Sequence, residues 1–361
     1  MDAALQRLID QVQTARAMKG ALDIRSGSTK AFYGEAPRGE PLDVRPLAGI
    51  SSYEPSELVV TVRAGTPLAD LEAALAEKGQ CLPFEPPRFG VGGTVGGMVA
   101  AGLAGPARAA VGGVRDYVLG ATLVNGRGEV LSFGGQVMKN VAGYDVSRLL
   151  AGSMGILGVI CEVSLKVLPV APAVHTLRFE LDQAAALKQL NAWGGQPLPL
   201  NASAWWDGML VVRLAGAHAA VQAAAQQLGG ESIDPTLARS FWDGLRDHRD
   251  EFFTAADAAV AAGQTLWRLA LPQTAAPLQL PGHQLVEWGG AQRWLVCDEP
   301  ADRVRAAAQV SGGHACAFRH GAVSGGVFAP LPAPLARIHR ELKAAFDPDR
   351  VFNPGRLYPE L

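Results

Sequence analysis

Cysteine is scarce in this chain. The 361 residues include only Cys81, Cys161, Cys297 and Cys316, and no two of them are close in sequence. This spacing supplies neither the paired ligands of a zinc site nor the clustered thiolates of an iron–sulfur centre. We therefore expect reduced, structural cysteines and no metal site.

The chain also lacks long apolar runs and runs of basic residues. No stretch reaches the roughly 18 to 20 apolar residues that cross a bilayer, and the N-terminus does not resemble a signal peptide. The most apolar region, 90–113, is interrupted by Pro106 and Arg108, and the net charge is only −2. A charge this small gives no field that would attract nucleic acid or an acidic membrane. The sequence predicts a cytoplasmic protein without a transmembrane segment that binds no nucleic acid.

The length and the pattern of elements indicate two domains of the α+β class. Leu5, Leu8, Ile9 and Val12 form one helical stripe in the first half. Thr66 before Pro67 is typical of a helix N-cap followed by proline at the first helical position. Asn125-Gly126 between two apolar runs predicts a β-hairpin.

The pattern changes after a proline-rich linker at 169–172. From there the order is strand, helix, strand, strand, helix, which is close to a ferredoxin-like unit with antiparallel strands. We expect a first domain at 1–170, a second at 171–339, and a C-terminal segment, 340–361, that joins the first.

The most informative segment is a glycine run that opens into small apolar residues. Its members are Gly92, Gly93, Thr94, Val95, Gly96 and Gly97. Glycine lets backbone N–H groups approach an anion closely, and successive N–H groups bind phosphate oxygens. The run is not a Rossmann fingerprint, because no core strand precedes it, and it lacks the GK[ST] of a Walker A loop. It predicts a pyrophosphate site, and a tight turn without a ligand is the alternative.

A second loop of small residues follows a predicted strand. It comprises Arg25, Ser26, Gly27, Ser28, Thr29 and Lys30. Alone it is typical of a turn. Together, two such loops on either side of a βα unit could clamp the diphosphate of a dinucleotide.

The order of these segments resembles the FAD-binding domain of the vanillyl-alcohol oxidase and p-cresol methylhydroxylase superfamily. RSGSTK resembles its first diphosphate loop and GVGGTVGGMVAAGLAG its second. KNVAGYDVSRLLAGSMGILGVICEVSLKVLP resembles the closing block, and FDPDRVFNPGRL resembles a C-terminal signature that returns to this domain. The KNVAGYD block and the short chain are most similar to the FAD-binding subunits of bacterial glycolate oxidases.

The resemblance implies a role for each matching residue. The two loops would hold the pyrophosphate, Gly102 and Gly105 would lie along the flavin, and Asn353 would sit near the ring system. Gly155, Gly158 and Val159 would present backbone groups near the adenine or ribose.

Two departures from the family pattern carry predictions. Many members bind FAD covalently through a histidine in the first loop, but no histidine precedes His175 here, so we expect noncovalent FAD. Larger hydroxy acid dehydrogenases of the family carry an HGDGN-like metal motif. The similarly placed RHGAVS, 319–324, lacks the aspartate, which argues against a metal.

Candidates for substrate contact are few. Arg268 in WRLAL lies on a predicted strand of the second domain, where its guanidinium could bind a carboxylate in a bidentate manner. Arg293 in AQRWLV has the same standing. For both, a purely structural role is the alternative.

The resemblance implies an FAD-dependent oxidoreductase subunit that takes part in oxidising glycolate to glyoxylate. Its partners would be a larger FAD-containing subunit and an iron–sulfur subunit, through which it could associate with the inner face of the membrane. The alternatives are a free-standing FAD dehydrogenase of a small hydroxy acid or polyol, and a structural subunit without turnover. A UDP-sugar enolpyruvyl reductase of the same superfamily is less favoured, because the second half shows no run that resembles it.

Overall fold

The computed structural model describes residues 2–135, 145–321 and 323–361. They form two compact units. The first contains the described residues within Met1–Leu103, Gly113–Pro169 and Pro330–Leu361, and the second those within Ala104–Gly112 and Val170–Ala329.

The first half of the chain contains short strands together with helices of 4 to 15 residues. In chain order these are α1 Ala3–Ala17, β1 Leu22–Arg25, β2 Glu40–Asp43, β3 Ile50–Glu54, β4 Val59–Arg63, α2 Leu68–Ala76, β5 Gln80–Cys81, α3 Val95–Ala101, α4 Arg108–Val111, α5 Val114–Tyr117, β6 Val118–Val124, β7 Val130–Gly134, β8 Val159–Lys166 and β9 Leu168–Pro169. Of these, α4 belongs to the second unit.

The first unit is built on an antiparallel sheet of five strands in the order β3-β4-β8-β6-β7, beside a parallel pair, β1 and β2. The predicted stripe of α1 is confirmed: Leu8, Ile9 and Val12 are buried in one apolar cluster with Leu22 and Phe352. Because Phe352 comes from the far end of the chain, the tail is part of this core.

The predicted cap of α2 is wrong in detail. The N-cap is Pro67, with extended ψ, and Thr66 precedes it. The Thr66 hydroxyl donates to the carbonyl of Arg63 at 2.7 Å and accepts from the N–H of Gly49 at 2.9 Å. The Thr66 hydroxyl is therefore used in these contacts and does not cap α2, although local propensity predicts that it would.

The second half of the chain continues with β10 Ala173–Glu180, α6 Gln183–Gly194, β11 Leu200–Trp206, β12 Met209–Gly216, α7 His218–Leu228, β13 Glu231–Ser232, α8 Pro235–Asp247, α9 Glu251–Ala261, β14 Thr265–Ala270, β15 His283–Glu287, β16 Gln292–Cys297, α10 Ala301–Val310, β17 His314–Arg319 and, in the first unit, α11 Ala333–Phe346.

The second unit is built on an antiparallel sheet of eight strands in the order β13-β10-β12-β11-β15-β16-β14-β17. Helices α6 and α7 cover apolar side chains of β10 and β12, such as Leu177 and Val212. Helix α10 covers Trp267 and Leu269 of β14 together with Leu295 of β16. The predicted α+β class and the antiparallel second part are confirmed.

The compact units and the predicted domains differ at three places. Residues 104–112 and Val170 were expected in the first domain and pack in the second unit, whereas 330–339 were expected in the second domain and pack in the first. No helix among the described residues is both long and apolar enough to cross a membrane.

Candidate functional site

The two predicted loops meet in the first unit. Strand β1 ends at Arg25 and leads into the first loop, and the second loop leads into α3. A Cβ placed on Gly27 would lie 1.6 Å from the carbonyl oxygen of Gly92, so the two backbones are in direct contact. The Thr94 hydroxyl donates to the Ser26 Oγ at 2.8 Å and also accepts from the N–H of Gly97 at 3.2 Å. Absence of a side chain at Gly27 therefore permits the contact, and two hydroxyls hold it.

A cavity of about 320 Å³ lies at this junction, within the size range of ligand pockets. Of the predicted residues, it is lined by Arg25, Ser26, Gly27, Ser28, Thr29, Lys30, Gly93, Thr94, Gly96, Gly97, Gly155, Gly158 and Asn353. It is also lined by residues that the sequence did not single out, namely Asp23, Ile24, Ala31, Pro37, Val44, Ala100, Ala101, Met154, Ile160 and Arg356.

The first loop suits a ligand that carries phosphate. In the described part of the chain, the N–H groups of Gly27, Ser28 and Thr29 donate to no protein acceptor. Ser28 has a φ of +53°, a left-handed conformation, and such turns point successive N–H groups towards one anion. Arg25, which forms an ion pair with the lining residue Asp23, and Lys30 place basic side chains at the same cavity. A diphosphate matches this combination of donors and charge.

The opposite part of the lining depends on Asn353. Its Oδ1 accepts from the N–H of Ile24 at 2.8 Å, and its Nδ2 donates to the carbonyl of Met154 at 2.7 Å. A Cβ on Gly155 would lie 2.6 Å from that Nδ2. Asn353 therefore joins β1 to the turn at Gly155, and only glycine fits there.

Arg356 is a lining residue that the sequence did not reveal. It is buried, and its guanidinium donates to the carbonyls of Ala31 and Tyr33 at 2.8 and 2.7 Å and to that of Glu35. Burial lowers its pKa. The guanidinium thus fixes the segment after the first loop and places a cation in the lining. The FNPGRL segment contains both Asn353 and Arg356, but the family resemblance implied a role only for Asn353.

A buried ion pair holds the tail against the turn. The Nζ of Lys343 donates to Asp347 Oδ2 at 2.8 Å and to the carbonyls of Ile156 and Phe352 at 2.7 and 2.8 Å. The N–H groups of Val351 and Phe352 in turn donate to the Asp347 carboxylate. Burial lowers the pKa of Lys343. The pair therefore positions both segments that carry Gly155 and Asn353.

Five predicted cofactor residues do not line the cavity. Val95 is fully buried. Gly102 ends α3 with a φ of +64°. A Cβ placed on it would lie 2.7 Å from the backbone nitrogen of Gly152. Gly105 belongs to the second unit, where its carbonyl accepts from Trp288 Nε1 at 3.0 Å. The remaining two are Gly92, which touches Gly27, and Val159, the first residue of β8.

The two candidate arginines differ sharply. Arg293 is 0% exposed, and its guanidinium donates to the carbonyls of Gly290 and Ala276 at 3.2 and 2.6 Å and to that of Ala275. Each guanidinium nitrogen therefore donates to a backbone carbonyl, which is the pattern expected for the structural alternative. Arg268 is half-buried and donates from Nε to Gln292 Oε1 at 2.7 Å.

The KNVAGYD block and the RHGAVS segment each lie partly outside the described residues. Residues 139–144 of the KNVAGYD block lie outside the described residues, as does Ala322 of RHGAVS. In the described ranges, no three His, Cys, Asp or Glu side chains are grouped as metal ligands. The four cysteines are free thiols, and burial raises the pKa of Cys161 to about 12, which disfavours its reactive thiolate.

Comparison with known proteins identifies the first unit's chemistry. A family model described as "FAD binding domain" matches residues 4–134. Alkyldihydroxyacetonephosphate synthase, a solved structure, has a TM-score of 0.67 at 14% identity, covering 97% of this chain and 75% of that one. At this identity the likeness shows the fold alone. The first unit therefore contains an FAD-binding domain, and the α+β fold is the one that the sequence predicted.

Whole-length similarity defines the family. The chain is 48% identical over 356 residues to the glycolate oxidase subunit GlcE of Escherichia coli (strain K12), which covers 99% of this chain and 98% of that protein. It is 34% identical over 128 residues to the glycolate oxidase subunit GlcD of Bacillus subtilis (strain 168), over 36% of this chain and 27% of that protein. The chain belongs to the GlcE family. The predicted resemblance to this family, the FAD cofactor and the class of FAD-dependent oxidoreductase are confirmed.

Proposed function

We propose that this chain is the FAD-binding subunit of a glycolate oxidase complex that oxidises glycolate to glyoxylate. The observation that carries the proposal is its 48% identity to a glycolate oxidase subunit over nearly the whole of both chains. Identity spread over both units favours a shared role for the entire chain over a shared cofactor domain alone.

The residues that would hold FAD are those of the cavity in the first unit. We propose that the free N–H groups of Gly27, Ser28 and Thr29 bind the diphosphate, with Arg25 and Lys30 adding positive charge. Asn353 and Arg356 would keep the lining in place through their backbone hydrogen bonds. Bound flavin supplies the acceptor for the two electrons that leave glycolate.

The proposed partners are a larger GlcD-type FAD subunit and an iron–sulfur subunit that carries electrons onward. Local similarity to a GlcD protein, limited to 36% of this chain, is consistent with two related but distinct subunits. The four cysteines are widely separated in sequence, so we propose that any cluster is supplied by a partner.

The first test is an absorbance spectrum of the purified chain before and after addition of FAD. We expect flavin bands at one FAD per chain. The control is Gly27→Ala, whose Cβ would lie 1.6 Å from the Gly92 oxygen and separate the loops. Failure of the native chain to take up FAD would favour a structural subunit and contradict the proposal.

The second test measures anaerobic glycolate oxidation by the complex assembled with native or Gly27→Ala chain. We expect electron transfer to the iron–sulfur partner only with the native chain. Full activity with a chain that holds no flavin would contradict the proposal. Rapid bleaching of the isolated chain by glycolate, with no gain on adding partners, would instead identify a free-standing dehydrogenase.

A further inference from the structure

Arg268 lies on an interior strand of the large sheet of the second unit. Strand β14 lies between β16 and β17, and Arg268 is opposite Trp294 on one neighbour and Cys316 on the other. Its sequence neighbours, Trp267 and Leu269, are buried on the opposite face. A guanidinium on an interior strand is costly unless its donors are used, so the partners of Arg268 are informative.

Arg268 is held by a chain of buried polar side chains. Its Nε donates to Gln292 Oε1 at 2.7 Å, and Gln292 Nε2 donates to Glu287 Oε2 at 3.0 Å. Trp294 Nε1 donates to the same Glu287 oxygen at 2.6 Å. Gln292 and Glu287 are each 3% exposed. These contacts fix the amide of Gln292 and therefore the plane of the guanidinium.

The outer edge of this guanidinium has no protein partner. In the ranges that the structure describes, neither terminal nitrogen of Arg268 donates to an acceptor, and no carboxylate forms an ion pair with it. The positive charge of Arg268 acts on His314. The pKa of His314 is lowered, mainly by burial and secondly by repulsion from Arg268. With Nε occupied, the two terminal nitrogens present parallel donors of the kind that binds a carboxylate end-on.

A second arginine adds positive charge next to Arg268. The guanidinium of Arg268 lies 5.4 Å from the ring centroid of Trp288, and that of Arg108 lies 4.7 Å from the same ring. The indole is fixed because its Nε1 donates to the carbonyl of Gly105 at 3.0 Å. The indole therefore holds two guanidinium groups close to one ring, which raises the positive potential around Arg268.

We infer that Arg268, positioned by Gln292 and Glu287, is a binding site for a small carboxylate. The choice of glycolate as that carboxylate rests on the proposed function. Gln292 and Glu287 are positioning residues, because they act through Arg268. The site makes this chain a carboxylate-binding subunit as well as a flavin-binding one.

The test is calorimetric titration of the full chain, loaded with FAD, with glycolate and with glycolamide, its neutral amide analogue. We expect glycolate to bind and glycolamide to bind at least about tenfold more weakly, since only the anion pairs with the guanidinium. Arg268→Met is expected to remove this discrimination. Arg268→Lys should restore only part of it, because lysine offers a point charge without the planar fork.

Gln292→Met tests the positioning role. We expect it to weaken glycolate binding by roughly three- to tenfold through loss of the Arg268 orientation, and to leave glycolamide binding unchanged. Arg178→Met is the matched control, because Arg178 lies on β10 of the same sheet and pairs with Glu231. This control should bind glycolate as the native chain does.

Three results would overturn the inference: no glycolate binding to the native chain, equal binding of glycolate and glycolamide, or equal glycolate binding by Arg268→Met and Arg178→Met. Flavin content, read from the same samples, separates this inference from the proposed function. An unchanged KM for glycolate in a complex with Arg268→Met would refute the carboxylate site and leave the flavin role intact. A chain that binds glycolate through Arg268 but takes up no FAD would refute the flavin role alone.

Discussion

A substitution at Gly97 is expected to weaken FAD binding without reducing the stability of the first unit. Gly97 is the third residue of α3 and lines the cavity. A Cβ added there would lie 3.3 Å from both Ser26 Oγ and Thr94 Oγ1. These are close contacts that require a shift of a few tenths of an ångström by the two hydroxyls that join the loops.

We expect Gly97→Ala to fold normally. Replacing a helical glycine by alanine contributes up to about 1 kcal/mol of stability, which offsets the crowding at the hydroxyls. The new methyl group occupies space beside the diphosphate loop, and displacement of the hydroxyls loosens the loop junction. We therefore expect the Kd for FAD to rise at least about tenfold, equivalent to about 1.4 kcal/mol.

The assay is a flavin fluorescence titration, together with thermal melting of the flavin-free chain. Gly20→Ala is the control, because its Cβ would meet only the Ala15 carbonyl oxygen at 3.7 Å, and Gly20 does not line the cavity. Native affinity for FAD in Gly97→Ala, with an unchanged melting temperature, would refute the placement of the diphosphate. A large loss of melting temperature would show that the loop junction supports the fold itself.

Three further predictions follow from buried charges and from the first loop. Lys343→Met should lower the free energy of unfolding by about 3–5 kcal/mol, because it leaves Asp347 charged and buried without its cation; urea denaturation measures this, and a loss below about 1 kcal/mol would contradict it. Burial raises the pKa of Glu287 from 4.5 to about 7, so the folded state holds this proton more tightly and stability should fall as pH rises from 4.5 to 7. Glu287→Gln should flatten that fall, which is on the order of 3 kcal/mol, and an identical pH profile in native and variant chains would count against it. FAD should remain in the supernatant after acid precipitation, because no histidine precedes His175; flavin in the pellet would show a covalent bond.

The sequence predicted those structural elements correctly that depend only on neighbouring residues. The stripe of Leu8, Ile9 and Val12 specifies α1 because helical periodicity alone places these side chains on one face. The hairpin at Asn125-Gly126 and the pairing of β11 with β12 across Asp207-Gly208 follow from turn chemistry. In the same way, the glycine run and RSGSTK revealed both loops of the cavity.

The sequence also determined the family, since ordered motifs survive in a single chain, and with it the FAD cofactor. It could not show that Gly27 touches Gly92, because these residues are 65 positions apart and only folding brings their backbones together. For the same reason it missed Arg356 and Lys343, each of which donates to a backbone carbonyl of a distant segment. Arg268 and Arg293 look alike in sequence, since each sits in an apolar strand. Tertiary structure alone distinguishes them: backbone carbonyls accept from all three nitrogens of the fully buried Arg293, whereas Gln292 accepts only from the Nε of Arg268.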